Sequence, residues 1–323
     1  MQRLAQSFTN LFALWVILAG VIGWFWPAAL GWVNGSLISI LLGLIMLGMG
    51  LNLSPADFQR ILRKPLPVLA GVLLQYTLMP ALGFTMAWLF QLDNELATGL
   101  ILVAACPGGT ASNVITFLAR ANLELSVSMT ALSTLLAILM TPLLTTWLAG
   151  NRLDIPTAGL LLDTLLVVIL PVSAGIILNR FLRQRMATIR IAAAPIAVIA
   201  IALIVGSILG ARREAMLANG WQLVLAVAGL HAAGFGLGWL AGRVFGDRNT
   251  ARTISIEVGM QNSGLGAKLA DSNFPAHPMV ALPSAISAMT HCILGSLAVL
   301  LWRLVDRPKS ASRSQGQTNT VGQ

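Results

Sequence analysis

The sequence predicts an all-helical integral membrane protein, and two observations lead to that prediction. Of its 323 residues, 57% are hydrophobic and only 10% are charged, whereas a typical soluble domain carries roughly 25% charged residues. The apolar runs are continuous and have about the length that a helix needs to cross a bilayer, roughly 20 residues. Membrane barrels show short alternating strands instead. The composition therefore excludes a soluble globular protein, a disordered chain and a disulfide scaffold.

Ten apolar segments can be placed along the chain, with boundaries good to a few residues. In chain order they cover 9–27, 35–53, 66–90, 95–119, 124–149, 157–179, 189–210, 219–242, 250–271 and 279–302. The first is predicted to be a retained helix rather than a signal peptide, because its only basic flank is Arg3 and no clear cleavage site follows. The polar residues 306–323 are predicted to form a disordered cytoplasmic tail.

The basic residues predict the orientation of the chain. If the N-terminus is inside, 16 of the 20 Lys and Arg residues fall on the cytoplasmic side, as the positive-inside rule requires. The four on the other side are Arg152, Arg212, Arg213 and Lys268. This bias accounts for the net charge of +9 without a nucleic-acid partner. The prediction is a monomer in the lipid bilayer, with both termini in the cytoplasm.

The ten segments divide into two halves of five, residues 1–149 and residues 150–305. Because five is an odd number, the second half must enter the membrane from the opposite face. If the two halves share a fold, they form an inverted repeat, which is a design found in secondary transporters.

Two segments contain helix breakers and polar residues at mid-membrane depth. The fourth contains Cys-Pro-Gly-Gly-Thr-Ala-Ser-Asn at 106–113, and the ninth contains Glu-Val-Gly-Met-Gln-Asn-Ser-Gly-Leu-Gly at 257–266. Small residues alone could serve close helix packing, but the polar load favours a binding site. That load consists of Thr110, Ser112, Asn113, Glu257, Gln261, Asn262 and Ser263. A helix broken in the membrane exposes carbonyls that suit a cation and amides that suit an anion.

Glu257 is the most informative single residue, because a carboxylate in the bilayer is costly unless it is paired. A bound cation or a proton could compensate it, and a permanently protonated structural Glu is the alternative. Ser126, Thr130 and Ser133 share one helical face of the fifth segment, although each could instead bond to its own helix backbone. Such oxygen ligands with one carboxylate favour a monovalent ion over Ca²⁺. Gln75 is either a further ligand or a contact between helices.

The motifs at 106–113, 257–264 and 125–130 (Leu-Ser-Val-Ser-Met-Thr) resemble the bile acid:sodium symporter family. The resemblance spans residues 5–303 and is strongest to the bacterial ten-helix members, which implies the bacterial inner membrane. It implies a panel domain of helices 1, 2, 6 and 7 and a core domain of helices 3–5 and 8–10. The broken helices 4 and 9 would cross within the core.

The resemblance also implies two sodium sites and no further cofactor. The first would consist of Ser112, Asn113, Ser126, Thr130 and Glu257. The second would consist of Gln75, Glu257, Val258, Met260 and Gln261. The chain departs from the family in the tenth segment, where His291-Cys292 stands in place of a His-Asn pair. His291 either faces the substrate cavity or is a buried structural histidine.

These observations predict a sodium-coupled symporter that imports an organic anion by alternating access. The substrate site would use Thr110, Asn113 and Asn262 with nearby helix amides, and His291 is a further candidate. A bile acid, a pantoate-like acid or another monocarboxylate would fit such a site. The alternative is proton coupling through Glu257. An enzyme is not expected, because the hydrolase and metalloprotease motifs are absent from the sequence.

Overall fold

The protein is described by a computed structural model that covers residues 7–9, 11–53, 59, 65–109, 111–181 and 186–306. Within these ranges the chain is helical, and its one β-type pairing is an isolated bridge between Gly108 and Gln261. The predicted all-helical class is therefore confirmed. Residues 307–323, which carry most of the predicted tail, lie outside the described ranges.

The helices follow the predicted apolar segments closely. They are α1 (Phe12–Phe25), α2 (Pro27–Leu30), α3 (Gly35–Asn52), α4 (Pro65–Leu89), α5 (Asn94–Ala104), α6 (Ala111–Leu118), α7 (Leu123–Ala149), α8 (Thr157–Thr164), α9 (Leu170–Phe181), α10 (Met186–Ala211), α11 (Arg213–Phe245), α12 (Arg248–Gly259), α13 (Ser263–Asn273) and α14 (Leu282–Val305). The fourth predicted segment is thus divided into α5 and α6, and the ninth into α12 and α13. A 3₁₀ turn, Pro278–Ala281, leads into α14.

Six described helical stretches are long and apolar enough to cross a membrane by themselves. They are Gly35–Asn52, Pro65–Leu89, Leu123–Ala149, Thr157–Phe181, Gly220–Phe245 and Pro278–Val305. Three shorter apolar stretches, Phe12–Phe25, Asn94–Ala104 and Pro195–Ala211, accompany them. The protein is a polytopic helical membrane protein, while the count of ten spans stays a prediction.

Glycine allows α1 and α10 to pack with their backbones in contact. A Cβ atom on Gly23 would lie only 2.0 Å from the carbonyl oxygen of Gly206. Helix α3 meets α9 in the same way, because a Cβ atom on Gly50 would lie 2.2 Å from the carbonyl oxygen of Val172. Small residues of this kind are how membrane helices achieve close packing without a hydrophobic driving force.

Two local features differ from the prediction. The expected connection between the seventh and eighth segments is helical, since α11 already begins at Arg213 and only Arg212 separates it from α10. A hydropathy pattern marks only the part of a helix that lies in the apolar layer. The backbone hydrogen bonds of the helix can continue beyond that layer into water. The sixth segment also contains a π-helical turn, Leu165–Ile169, between α8 and α9. No sequence pattern indicated this turn.

Candidate functional site

The two breaks lie against each other and are joined through their backbones. Gly109 N–H donates to the carbonyl of Met260 at 2.9 Å, and Asn262 N–H donates to the carbonyl of Pro107 at 2.8 Å. These bonds form an antiparallel bridge that centres on Gly108 and Gln261. We call this paired region, residues 107–109 and 260–262, the crossing. Each broken segment therefore satisfies part of the other's backbone, which lipid cannot do.

Close approach at the crossing explains the two adjacent glycines. A Cβ atom on Gly109 would lie 2.7 Å from the backbone oxygen of Gln261. A Cβ atom on Gly108 would lie 2.9 Å from Oε2 of Glu257. Only glycine lets the backbones come so near. The sequence marks these glycines as helix breakers, and the structure adds that they make room for the other broken segment and for the Glu257 carboxylate.

Side chains bond to the two carbonyls that directly follow α5. Thr141 Oγ1 on α7 donates to the carbonyl of Ala105 at 2.8 Å. Gln75 Nε2 on α4 donates to the carbonyl of Cys106 at 2.9 Å and lies 2.7 Å from Gln261 Oε1. A helix end without such partners would leave backbone acceptors unpaired in an apolar medium. Gln75 thus links α4 to both broken segments.

The end of α12 is satisfied in the same way. Gln261 Nε2 donates to the carbonyl of Val258 at 3.1 Å. Nδ1 of His231, on α11, lies 2.8 Å from the carbonyl of Gly259. Since the carbonyl of Met260 accepts from Gly109, each of these three carbonyls has a protein donor. A carbonyl oxygen has two lone pairs, so one donor leaves capacity for a further ligand.

Glu257 lies at the centre of a cluster of hydroxyl groups. Glu257 is buried, with 2% of its surface exposed. Ser112 Oγ donates to Oε1 at 2.5 Å, Ser126 Oγ also donates to Oε1, and Thr130 Oγ1 donates to Oε2 at 2.8 Å. The hydroxyls come from α6 and α7, while the carboxylate comes from α12. Three helices therefore meet at one carboxylate.

This cluster has more acceptors than protons. Each of the three hydroxyls carries one proton but has two acceptors in reach. The second contacts are Ser112 with the carbonyl of Gly109 at 2.7 Å, Ser126 with Asn113 Oδ1 at 2.9 Å and Thr130 with the carbonyl of Ser126 at 3.0 Å. An excess of oxygen lone pairs around a buried carboxylate favours an added positive charge.

No protein cation supplies that charge in the described part of the chain. The ion pairs there join Asp306 to Arg248 and Arg252, and Glu95 to His277. None involves Glu257. No group of three or more His, Cys, Asp or Glu side chains in the described residues could hold a metal ion. A site with a single carboxylate suits a monovalent ion better than Ca²⁺, which usually recruits several.

The structure brings together all five residues of the first predicted sodium set: Ser112, Asn113, Ser126, Thr130 and Glu257. Ser133, the third hydroxyl of the predicted stripe, is different. Its hydroxyl donates to the carbonyl of Thr130 at 3.2 Å, so it bonds to its own helix, which was the alternative interpretation.

The second predicted set forms a chain rather than a cluster. Gln75 contacts Gln261, and Gln261 donates to the carbonyl of Val258. The carbonyl of Met260 is held by the crossing. Among the described hydrogen bonds, those of the Glu257 side chain go to the hydroxyls of the first set and none goes to either glutamine. The carboxylate therefore belongs by its contacts to the first set.

Two of the four predicted substrate residues, Asn262 and His291, lie at the start of α13. Asn262 is 6% exposed; its Oδ1 accepts from Leu265 N–H at 3.1 Å, while its Nδ2 has no hydrogen-bond partner. His291 is buried, and its Nε2 lies 3.2 Å from Ser263 Oγ. Asn113 points to the hydroxyl cluster instead, through Ser126. Thr110 lies outside the described residues.

Sequence reasoning missed three side chains that bond near the breaks: Thr141, His231, and Ser287, whose Oγ lies 2.8 Å from Nε2 of His231. The signal for His231 was available, because an ionisable residue inside an apolar segment marks a functional position. Ser287 and Thr141 carried no such signal. Lys268, one of the four basic residues predicted on the outer side, donates to Ser272 one turn further along α13. It therefore contacts its own helix rather than the crossing.

Known proteins resemble this chain in sequence over most of its length. A profile of the Sodium Bile acid symporter family matches residues 39–219. The chain is 44% identical over 299 residues to a probable chloroplastic sodium/metabolite cotransporter, BASS1 of Arabidopsis thaliana, covering 92% of this chain and 74% of that protein. It is 42% identical over 316 residues to the uncharacterized sodium-dependent transporter YocS of Bacillus subtilis (strain 168), covering 97% of each.

A third relative is the probable chloroplastic sodium/metabolite cotransporter BASS2 of Oryza sativa subsp. japonica, which is 43% identical over 94% of this chain and 72% of its own length. These similarities extend over nearly the whole described structure and include both broken segments. They identify a sodium-coupled transporter, and they confirm the prediction that the chain is not an enzyme. The protein belongs to the sodium bile acid symporter family.

Proposed function

We propose that the protein imports an organic anion together with sodium ions by alternating access. The observation that carries this proposal is the buried Glu257 carboxylate, which is surrounded by three hydroxyls and lacks a protein counter-ion among the described residues. Such a group is costly in the membrane unless a positive charge compensates it. The relatives that are named as sodium cotransporters favour sodium as that charge.

The first sodium ion would bind at Ser112, Asn113, Ser126, Thr130 and Glu257. A hydroxyl is both a donor and an acceptor, so rotation of each O–H bond would turn a lone pair toward the ion. The ion would then replace the three hydrogen bonds that the hydroxyls donate to the carboxylate, and it would neutralise the carboxylate charge. Because its ligands come from α6, α7 and α12, binding would tie both broken segments to α7.

A second sodium ion would use the backbone carbonyls of Val258 and Met260 with the amide oxygens of Gln75 and Gln261. Each of the two carbonyls accepts one hydrogen bond from the protein and so keeps a lone pair for an ion. Glu257 would contribute its charge from the neighbouring cluster. The two ions would therefore share one carboxylate, and the protein needs no other cofactor in this proposal.

The organic anion would bind where α13 begins. Asn262 Nδ2 is a buried donor without a partner, and α13 is an 11-residue helix whose positive dipole end lies at Ser263. Thr110, Asn113 and His291 are the further candidate contacts. A monocarboxylate of the bile acid or pantoate-like type would place its single negative charge at this end of α13.

Transport would follow from rocking of a core domain against a panel domain that are built from two inverted repeats. Both termini would lie in the cytoplasm of a bacterium, with the monomeric protein in the inner membrane. Two sodium ions with one monoanion would carry one net positive charge inward. A negative interior would then favour uptake by about 2.3 kcal/mol per 100 mV.

Uptake into proteoliposomes tests the proposal, with radiolabelled cholate and pantoate as probes. At fixed pH, replacement of external sodium by choline should abolish uptake, and a negative interior potential should raise it. The probe should accumulate above its external concentration, which a passive channel cannot achieve. Uptake that continues in choline but responds to a pH gradient would contradict sodium coupling and would indicate proton coupling through Glu257.

Thermal stabilisation of the purified protein narrows the substrate class. A panel of bile acids, hydroxy acids and keto acids is measured with and without sodium, since a ligand that binds the folded state raises the unfolding temperature. The transported class should stabilise the protein more strongly when sodium is present.

A further inference from the structure

A chain of hydrogen bonds joins the two ends of the break in the ninth segment and includes no carboxylate. His231 on α11 contacts the carbonyl of Gly259 through Nδ1 and Ser287 Oγ through Nε2, both at 2.8 Å. Ser287 on α14 lies 2.8 Å from Ser263 Oγ, and Ser263 lies 3.2 Å from Nε2 of His291. The chain therefore connects the last residue of α12 with the first residue of α13.

The positions of the protons in this chain can be derived from one end. A carbonyl oxygen only accepts, so His231 must donate from Nδ1 to Gly259. His231 is fully buried and forms no ion pair among the described residues. A buried charge without a counter-ion is costly, so the ring is neutral and its Nε2 accepts. Ser287 must then donate its single proton to His231.

The remaining bonds follow in order. Since Ser287 already donates its single hydroxyl proton to His231, Ser263 must donate to Ser287. The Ser263 proton is then committed as well, so His291 must donate from Nε2 to Ser263. A neutral His291 accepts at Nδ1, which lies 3.5 Å from the sulfur of Cys292. The thiol of Cys292 completes the chain as its first donor. Every bond thus points in one direction, toward the carbonyl of Gly259.

We propose that this chain couples sodium binding to substrate binding, with His231 as the residue that positions the carbonyl of Gly259. The inference rests on the proposed function, because it assigns sodium and substrate to the two sides of the break. Gly259 lies between Val258 and Met260, the proposed carbonyl ligands of sodium. At the other end, Ser263 directly follows Asn262, the proposed substrate ligand.

The coupling has a simple physical basis. If sodium draws the carbonyls of Val258 and Met260 toward itself, the carbonyl of Gly259 must move with them. His231 and Ser287 transmit that shift to Ser263, because the loss of any one bond would leave a buried group unsatisfied. The start of α13, where the substrate would bind, then adopts its ordered arrangement only when the carbonyls of the proposed sodium site have done so.

The test uses sodium alone as the probe and measures the thermal unfolding midpoint of the purified full-length protein. Sodium chloride is titrated against choline chloride at constant ionic strength. The variant Ser287→Ala interrupts the chain without touching a proposed ligand. Its half-saturating sodium concentration should rise about fivefold, which is the equivalent of about 1 kcal/mol for the loss of a buried hydrogen bond.

Ser284→Ala is the matched control, because Ser284 lies on the same helix, is fully buried and has no hydrogen-bond partner for its hydroxyl. Its half-saturating sodium concentration should equal that of the wild type. The variant His231→Phe keeps an aromatic ring and removes both ring nitrogens. It should raise the half-saturating sodium concentration as Ser287→Ala does. The half-saturating sodium concentration of the double variant should be no higher than that of the more affected single variant, since both substitutions break one chain.

Three outcomes would overturn the inference. In the first, Ser287→Ala lowers the unfolding midpoint in choline but keeps the wild-type half-saturating sodium concentration, which would show a merely structural role. In the second, the effects of His231→Phe and Ser287→Ala on sodium affinity are fully additive. In the third, wild-type protein shows no stabilisation by sodium; that result would contradict the proposed function itself and is recognisable because it appears before any substitution.

Discussion

Around the crossing, helices are joined by hydrogen bonds, whereas α1 and α10 meet through bare backbone. At the crossing, Gly109 and Asn262 donate across the break, and hydroxyls from two helices converge on Glu257. Between α1 and α10, the contact is made by Gly23 and Gly206, which bring no side chain at all. The two regions therefore use opposite means of holding helices together.

The difference predicts which region can respond to a ligand. A hydrogen bond from a hydroxyl can be exchanged for a bond to an ion, because the O–H group rotates and offers a lone pair instead. A glycine contact has no alternative partner and is fixed by shape alone. We therefore expect substitutions at the crossing to change ligand affinity and substitutions at the glycine contact to change stability.

The largest expected effect is the loss of sodium coupling in Glu257→Ala. Removal of the carboxylate leaves neutral oxygens that cannot neutralise an ion in the membrane, so sodium-driven uptake should fall to background. Stabilisation by sodium should disappear too, while size-exclusion chromatography should show a folded protein. Glu214→Ala, which removes an exposed carboxylate at the start of α11, is the control and should transport normally.

The next largest effect is expected for Gly23→Ala. Its new methyl group would lie 2.0 Å from the carbonyl oxygen of Gly206, so α1 and α10 must separate, at a cost of about 1–3 kcal/mol. The thermal unfolding midpoint should fall, while the half-saturating sodium concentration should stay unchanged.

Gly43→Ala provides the comparison for Gly23→Ala, because a Cβ atom on Gly43 has no neighbour within 4 Å. It should keep or slightly raise the unfolding midpoint, since alanine favours a helix over glycine by roughly 0.5–1 kcal/mol. If Gly23→Ala changed sodium affinity instead of stability, the proposed division between the two regions would be wrong.

A smaller effect is expected for Asn262→Ser, which distinguishes the role of Oδ1 from the role of Nδ2 in the Asn262 side chain. Serine can still cap α13 in place of Asn262 Oδ1, which accepts from Leu265 N–H, but it lacks the unpartnered Nδ2 donor. The KM for the organic anion should rise about tenfold, in line with the loss of one hydrogen bond to a charged group. The half-saturating sodium concentration should change less; equal weakening of both ligands would contradict the assigned role.

The smallest effect concerns an ion pair at the end of α14, outside the apolar layer. Arg252 donates to Asp306 at 2.7 Å and 3.0 Å, and this hydrogen bonding lowers the pKa of the Asp306 carboxyl below its ordinary value of 3.8. A lowered pKa in the folded state means that the pair stabilises the protein above the unfolded-state pKa. The contribution is lost as the pH falls through the folded-state value.

Asp306→Asn should therefore lower the thermal unfolding midpoint slightly at pH 7. The difference in unfolding midpoint between this variant and the wild type should shrink between about pH 5 and about pH 3, because the wild-type carboxyl takes up a proton. A difference that is constant over this range would show that the ion pair contributes nothing to stability.

The breaks themselves could be predicted because their causes are local. Pro107 removes a backbone donor wherever it lies in a helix, and the cost of Glu257 in lipid does not depend on its neighbours. The clustering of Ser126 and Thr130 also follows from helical spacing. These arguments use only residues that are near in sequence, and the structure agrees with them.

The partners of the freed carbonyls could not be predicted in the same way. Thr141 and Ala105 are 36 residues apart, and His231 and Gly259 are 28 apart, so their contacts depend on how whole helices pack. Ser133 shows a different limit: its spacing places it on the correct face, but the rotation of one side-chain bond directs its hydroxyl to Thr130. Sequence periodicity predicts faces and leaves rotamers open.

The main-chain pairing of 107–109 with 260–262 bears on how such a carrier can diversify. Peptide groups make that pairing, so an exchange of the Asn262 side chain, a proposed contact of the cargo, leaves it in place. A descendant protein can therefore acquire a different cargo through single substitutions around an unaltered peptide framework. The choice of cargo and the source of driving force are then inherited as separate traits.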